Sequence, residues 1–138
     1  AQLETLQTLG VSPENWVWVH ANKVSDPTIL LEFAKEGAWI SLDGVKEEGL
    51  NQYMDWLDAF REANLLHKVL LSHDGNSFPR GGAIRPYDAI PNVLVSLLKE
   101  ADYSDLEIDQ LLRMNALHAF GFPLPPAPLV VDSVSTQH

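Results

Sequence analysis

Apolar residues along this chain fall into two patterns, short continuous runs and stripes at helical spacing, and the two alternate. Leu3, Leu6 and Leu9 recur at every third position ahead of Gly10, which predicts a short helix with a glycine stop. Ser12, Pro13 and Glu14 turn the chain into residues 16–21 (WVWVHA), an aromatic and β-branched run expected of a strand buried on both faces. Asp26 before Pro27 predicts a helix start, because the carboxylate can accept from free amides and proline loses nothing at the first helical position. Ile29, Leu30, Phe33 and Ala34 give that helix an apolar face, and Gly37 ends it. Residues 38–42 (AWISL) predict a second strand; Leu50, Tyr53, Leu57 and Phe60 form the stripe of a longer helix, with Trp56 on its edge. Residues 67–72 (HKVLLS) predict a third strand. Ile90, Val93, Leu94, Leu97 and Leu98 then mark a helix that Asp88 can cap. Ser104 with Glu107 makes a capping box ahead of a helix with Ile108, Leu111 and Leu112, and residues 115–120 add a turn before Gly121.

Short buried strands alternating with amphipathic helices imply βαβ units, an α/β fold with a parallel sheet, and chemistry at the C-terminal ends of the strands. Two segments depart from this rhythm. Residues 76–86 form a polar, glycine-containing connection longer than the usual strand-to-helix loop, a length that marks functional loops. Residues 123–138 carry Pro123, Pro125, Pro126 and Pro128 and no helical period, which predicts a surface tail beyond a single domain over residues 1–122.

With 138 residues, 46% of them hydrophobic, the chain can bury one core. Its formal net charge of -10 opposes nonspecific attraction to nucleic acid or an anionic membrane, and no apolar run approaches the roughly 18 to 20 residues of a membrane helix. A soluble protein is expected, with cytoplasm and export both open. The absence of cysteine excludes disulfides, thiolate metal sites and cysteine nucleophiles. Residues 1–10 lack the basic region and apolar block of a secretory signal.

His20, Asp43 and Asp74 each end a predicted strand, so a parallel sheet puts all three on one rim. Imidazole and carboxylate are ligands for zinc and similar ions, and His20 and Asp74 are the candidate pair. A structural reading competes for each. A histidine ending a buried strand is commonly hydrogen-bonded into the fold, and aspartate before glycine is ordinary turn chemistry, a reading that fits Asp43 before Gly44 better still. His67 falls on the opposite rim, His73 points to the other side of its strand as a supporting or packing residue, and His118 and His138 are not candidates. Asn22, Lys23 and Arg80 are candidates for substrate binding; Lys23, Arg80 and Arg85 could bind an anionic substrate, though the reading as solvated loop charges is favoured for them.

The segments GVSPENW (10–16), VHAN (19–22), AKEGAWISLDG (34–44), HKVLLSHDG (67–75) and RMNALHAFGF (113–122) resemble, in order and spacing, the C-terminal portion of the phosphotriesterase-related branch of the amidohydrolase superfamily. The resemblance implies a partial (β/α)8 TIM barrel made of the last three β/α units, strands six to eight, plus C-terminal helices. It implies a divalent metal, zinc being the expected one, with His20 as the ligand after strand six and Asp74 as ligand and general base after strand eight. In that family metal-bound hydroxide attacks an ester, lactone or phosphoester. Two positions depart from the best-studied phosphotriesterases: Gly44 stands where they carry a histidine, and Lys23 where they carry an acidic residue.

The ligands that such enzymes draw from strands one, four and five have no counterpart in these 138 residues. The chain is therefore expected to be a fragment, inactive alone, that pairs with a missing N-terminal part or self-associates through open strand edges. The rival expectation is a noncatalytic half-barrel serving as a binding or oligomerisation module, with His20 and Asp74 structural.

Overall fold

The computed structural model describes residues 2–75 and 86–121. The predicted Arg80, Arg85, most of the long loop and the proline-rich tail lie outside the described residues. Three parallel strands, β1 (Val17–Trp18), β2 (Trp39–Leu42) and β3 (Val69–Leu71), form one sheet in chain order. Helix α1 (Gln2–Thr8) precedes the sheet, α2 (Pro27–Lys35) links β1 to β2, and α3 (Leu50–Glu62) links β2 to β3. After β3 come a π-type turn (Ile90–Leu94) running into α4 (Val95–Glu100), and then α5 (Asp105–Asp109), a second π-type turn (Gln110–Met114) and α6 (Asn115–Ala119).

The caps do what their residue types require. Asp26 accepts from the Thr28 amide at 2.9 Å with Pro27 in the first turn. Ser104 and Glu107 exchange side-chain bonds with each other's amides as a complete capping box.

Side chains alternate across the sheet. Ile40, Leu42 and Val69 enter a core with Leu30 and Ala34 of α2, Tyr53, Leu57 and Phe60 of α3, Leu94 and Leu98 of the α4 region, and Ile108 and Leu111. All four residues of β2 are buried, as its position between two neighbours demands. β1 differs from its expectation. Only Val17 and Trp18 pair, both half-buried, because β1 is an edge strand among the described residues and the chain leaves extended geometry at His20. Trp16 and Trp18 instead stack on one another at 5.9 Å and against Phe33 of α2 at 5.3 and 4.7 Å. Ile29, placed on the buried face of α2, is 42% exposed.

Among the described residues no helix covers the opposite face of the sheet as α2 and α3 cover the first. Val17, Val19, Ser41 and Leu70, with Leu71 at the sheet edge, Leu111 and Leu112 of the second π-type turn, and Ala116 and Phe120 at α6, line a largely apolar cavity of about 500 Å³ that Asp43 and Ser72 also reach. Val19 and Phe120 are 58% and 61% exposed. Among the described residues no helix is long and apolar enough to cross a membrane.

Candidate active site

The C-terminal ends of the three parallel strands lead into one cavity of about 500 Å³, lined by His20, Asn22, Lys23, Asp43, Gly44, Lys46, Tyr53 and Asp74. The predicted His20, Asn22, Lys23 and Asp74 are thus brought together.

Asp43 organises the floor. It directly follows β2 and is only 5% exposed. Its Oδ2 accepts from the His20 amide at 2.6 Å and lies 3.2 Å from His20 Nδ1, while its Oδ1 accepts from the Ser41 hydroxyl at 2.7 Å. The Asp43 amide donates to Asn22 Oδ1 at 3.3 Å, and its carbonyl accepts from the Tyr53 hydroxyl at 2.6 Å. Asn22 Nδ2 donates to that same hydroxyl at 3.4 Å. The loop after β1, the end of β2 and α3 are thereby locked together around a single buried carboxylate.

Asp43 was placed on this rim by the pattern but read as turn chemistry, and Ser41 and Tyr53 were not singled out for the site. Gly44 takes φ +74°, but the turn reading of Asp43 misses what its side chain does. Two signals pointed to it. Ser41 is a lone polar residue inside a fully buried strand, and Tyr53 puts a hydroxyl on an otherwise apolar helix stripe; both need partners when buried.

His20 and Asp74 share a backbone peculiarity. Among the described residues four that are not glycine have positive φ: His20 (56°), Asn64 (57°), Asp74 (48°) and Asp102 (57°). Asn64 and Asp102 lie just past α3 and α4, where a left-handed residue is the usual helix stop. His20 and Asp74 follow strands and have no such reason. A left-handed residue of this kind costs about 1–2 kcal/mol, and such strain collects at functional sites. At His20 the amide bond to Asp43 offsets it; at Asp74 the amide donates to Ser72 Oγ at 3.0 Å.

The remaining histidines fall where expected. His67 is exposed. His73 turns away from the cavity: its Nε2 accepts from the Ile90 amide at 3.1 Å and its ring meets Tyr87 edge-on at 5.8 Å. Burial lowers its pKa, against a smaller opposing pull from Asp88.

No family model matches the chain, and no curated protein matches it in sequence. Solved structures do match. A phosphotriesterase homology protein from Escherichia coli, with phosphate in its active site, aligns with a TM-score of 0.71 and 24% identity over 83% of this chain and 41% of its own. The organophosphorus hydrolase of Deinococcus radiodurans aligns at 0.72 and 20% identity over 87% and 41%. The phosphotriesterase of Mycobacterium tuberculosis aligns at 0.69 and 21% identity over 80% and 38%. At these identities the likeness is one of fold: this α/β unit matches part of a phosphotriesterase-like structure, and the chain spans about two fifths of the length of those proteins.

Proposed function

We propose that residues 1–122 form the last three β/α units, strands six to eight, of a (β/α)8 barrel in the phosphotriesterase-related branch of the amidohydrolase superfamily, with residues 123–138 as a tail. The parent protein is then a metal-dependent hydrolase of esters, lactones or phosphoesters. One observation carries the reading: His20 and Asp74, each just past a parallel strand and each in a left-handed backbone that no helix end explains, line the same cavity. The solved neighbours lend support, being a phosphotriesterase, organophosphorus hydrolases and an organophosphate hydrolase engineered from a lactonase template.

The donor chemistry suits zinc or a similar divalent ion. Imidazole and carboxylate are both ligands for it, and a carboxylate against the second ring nitrogen, as Asp43 lies against His20 Nδ1, is the arrangement that orients a ligating histidine. Among the described residues no group of three or more His, Asp or Glu side chains is placed to hold an ion, so further ligands belong to other β/α units of the barrel. A divalent ion there supplies Lewis-acid activation of the scissile group. Asp74 takes the proton of the attacking water, Asp43 fixes the His20 ring, and Asn22, Lys23 and Arg80 contact substrate. Without the missing units the chain does not turn over.

A second reading, a noncatalytic half-barrel for binding or oligomerisation, draws on the largely apolar cavity of the opposite face of the sheet, with Val19 and Phe120 at its border. Both readings predict association through open strand edges, with the remaining strands or with a second copy. They part at Asp74. In the intact protein, Asp74→Asn keeps shape but removes the base, so hydrolysis is lost while the circular dichroism spectrum is kept; retained turnover overturns the catalytic reading.

A further inference from the structure

Lys46, which the sequence pattern did not single out, lines the same cavity as Lys23. Lys23 ends the short 3-10 turn after His20, and Lys46 lies in the loop between β2 and α3, so the two ammonium groups come from separate loops on one rim. In a chain with 19 acidic and 9 basic residues, this mouth pairs two lysines with two aspartates, Asp43 and Asp74, and so lacks the acidic excess of the whole chain. Neither lysine is consumed by the fold. Among the described residues Lys23 has no ion pair, and Lys46 has only a 3.9 Å contact with Glu48, both of those side chains being well exposed. The nearby Asp43 carboxylate is already engaged by the His20 amide and the Ser41 hydroxyl.

We infer that Lys23 and Lys46 form an anion subsite, and that the substrate carries a phosphate or carboxylate group beside the bond that is cleaved. A neutral triester would leave both ammonium groups unused, whereas an anionic group at the rim satisfies both and gains a recognition contact away from the reacting centre. The inference rests on the proposed hydrolase site for the position of the reacting bond, but the subsite itself consists of these two side chains and is testable without turnover.

The test titrates inorganic phosphate, and separately acetate, into the metal-free 138-residue chain at constant ionic strength, followed by amide NMR. Saturable shifts are expected at Asn22, Lys23, Gly44 and Lys46. Affinity should fall at least tenfold in the Lys23→Gln/Lys46→Gln double variant and stay unchanged in Lys99→Gln, whose lysine is on α4. Tighter phosphate binding assigns a phosphate-bearing substrate, and tighter acetate binding a carboxylate-bearing one. No saturable shift with either anion, or equal affinity in the double variant, overturns the subsite. Either failure leaves the Asp74→Asn result untouched, so the two readings fall separately.

Discussion

Asp43 offers the sharpest test of how the site is built, because its two oxygens do separate jobs. Oδ2 holds the His20 amide at 2.6 Å and Oδ1 holds the Ser41 hydroxyl at 2.7 Å. A hydrogen bond to a charged acceptor contributes about 1.5–3 kcal/mol and a neutral one about 1. Asp43→Asn can be seated with its oxygen toward the His20 amide and its nitrogen toward Ser41 Oγ, which can accept; both bonds survive in neutral form, and the loss is about 1–2 kcal/mol. Asp43→Leu, of similar size, removes both acceptors and should cost about 3–6 kcal/mol. The difference also decides the backbone at His20. Its left-handed conformation costs about 1–2 kcal/mol, comparable to what the bond to the charged carboxylate provides, so φ near 56° is held by Asp43 and should be released in Asp43→Leu, with Asp43→Asn falling between the two. Urea unfolding followed by tryptophan fluorescence reads the stabilities, and the coupling constant between the His20 amide and Hα protons reads the backbone. At about 1–3 kcal/mol per molar urea, Asp43→Leu should lower the midpoint by at least 1 M. Equal losses in the two variants would put the whole effect in the charge and refute the two-bond account. An unchanged midpoint in Asp43→Leu would remove Asp43 from the centre of the site altogether.

Two further predictions concern the frame behind the cavity. Arg61 of α3 donates to Glu107 at 2.7 and 3.2 Å and to the Asp102 carbonyl at 2.8 Å, and its guanidinium lies 4.3 Å from the centre of the Tyr103 ring. The Arg61 bond and the Ser104 cap hold the Glu107 pKa down from 4.5 to about 2, so the unfolded chain binds more protons across that interval. Stabilisation from Glu107 is therefore fully present above pH 4.5 and is lost as the pH falls toward 2; Arg61→Met should flatten the urea midpoint over that window, and an unchanged pH slope would refute the linkage. Asn115, fully buried, donates to the Leu66 and Val69 carbonyls at 2.7 and 2.6 Å and accepts from Gln110, tying α6 to the start of β3. Asn115→Leu strands both carbonyls at about 1–3 kcal/mol each, so unfolding should come at least 0.5 M earlier in urea, and a shift below about 0.2 M would show that the carbonyls find other partners.

How far the chain could be read depended on whether a residue's role was set by its neighbours in sequence or by its neighbours in space. Asp26 and Pro27, or Ser104 and Glu107, carry their bonding partners within three positions, and the helices they open begin where the pattern puts them. The stripe of α3 is likewise local, and so is the unbroken apolar run of β2. β1 is not. Its run of six residues reads as a buried strand, but only two of them pair, because burial on both sides depends on a neighbour that the run itself does not contain. The same distinction separates the two Asp-Gly pairs. Asp43 and Asp74 look alike as turns, yet the fold sinks Asp43 to 5% exposure beneath His20, while Asp74 stays half-buried at the rim. Among the described residues the sheet order makes the strand before Asp43 the central one. A carboxylate at the end of the central strand has an amide of the flanking loop within reach and is drawn into structure. On that argument the support role of Asp43 follows from its place after the central strand, a place that the Asp-Gly pair itself does not announce.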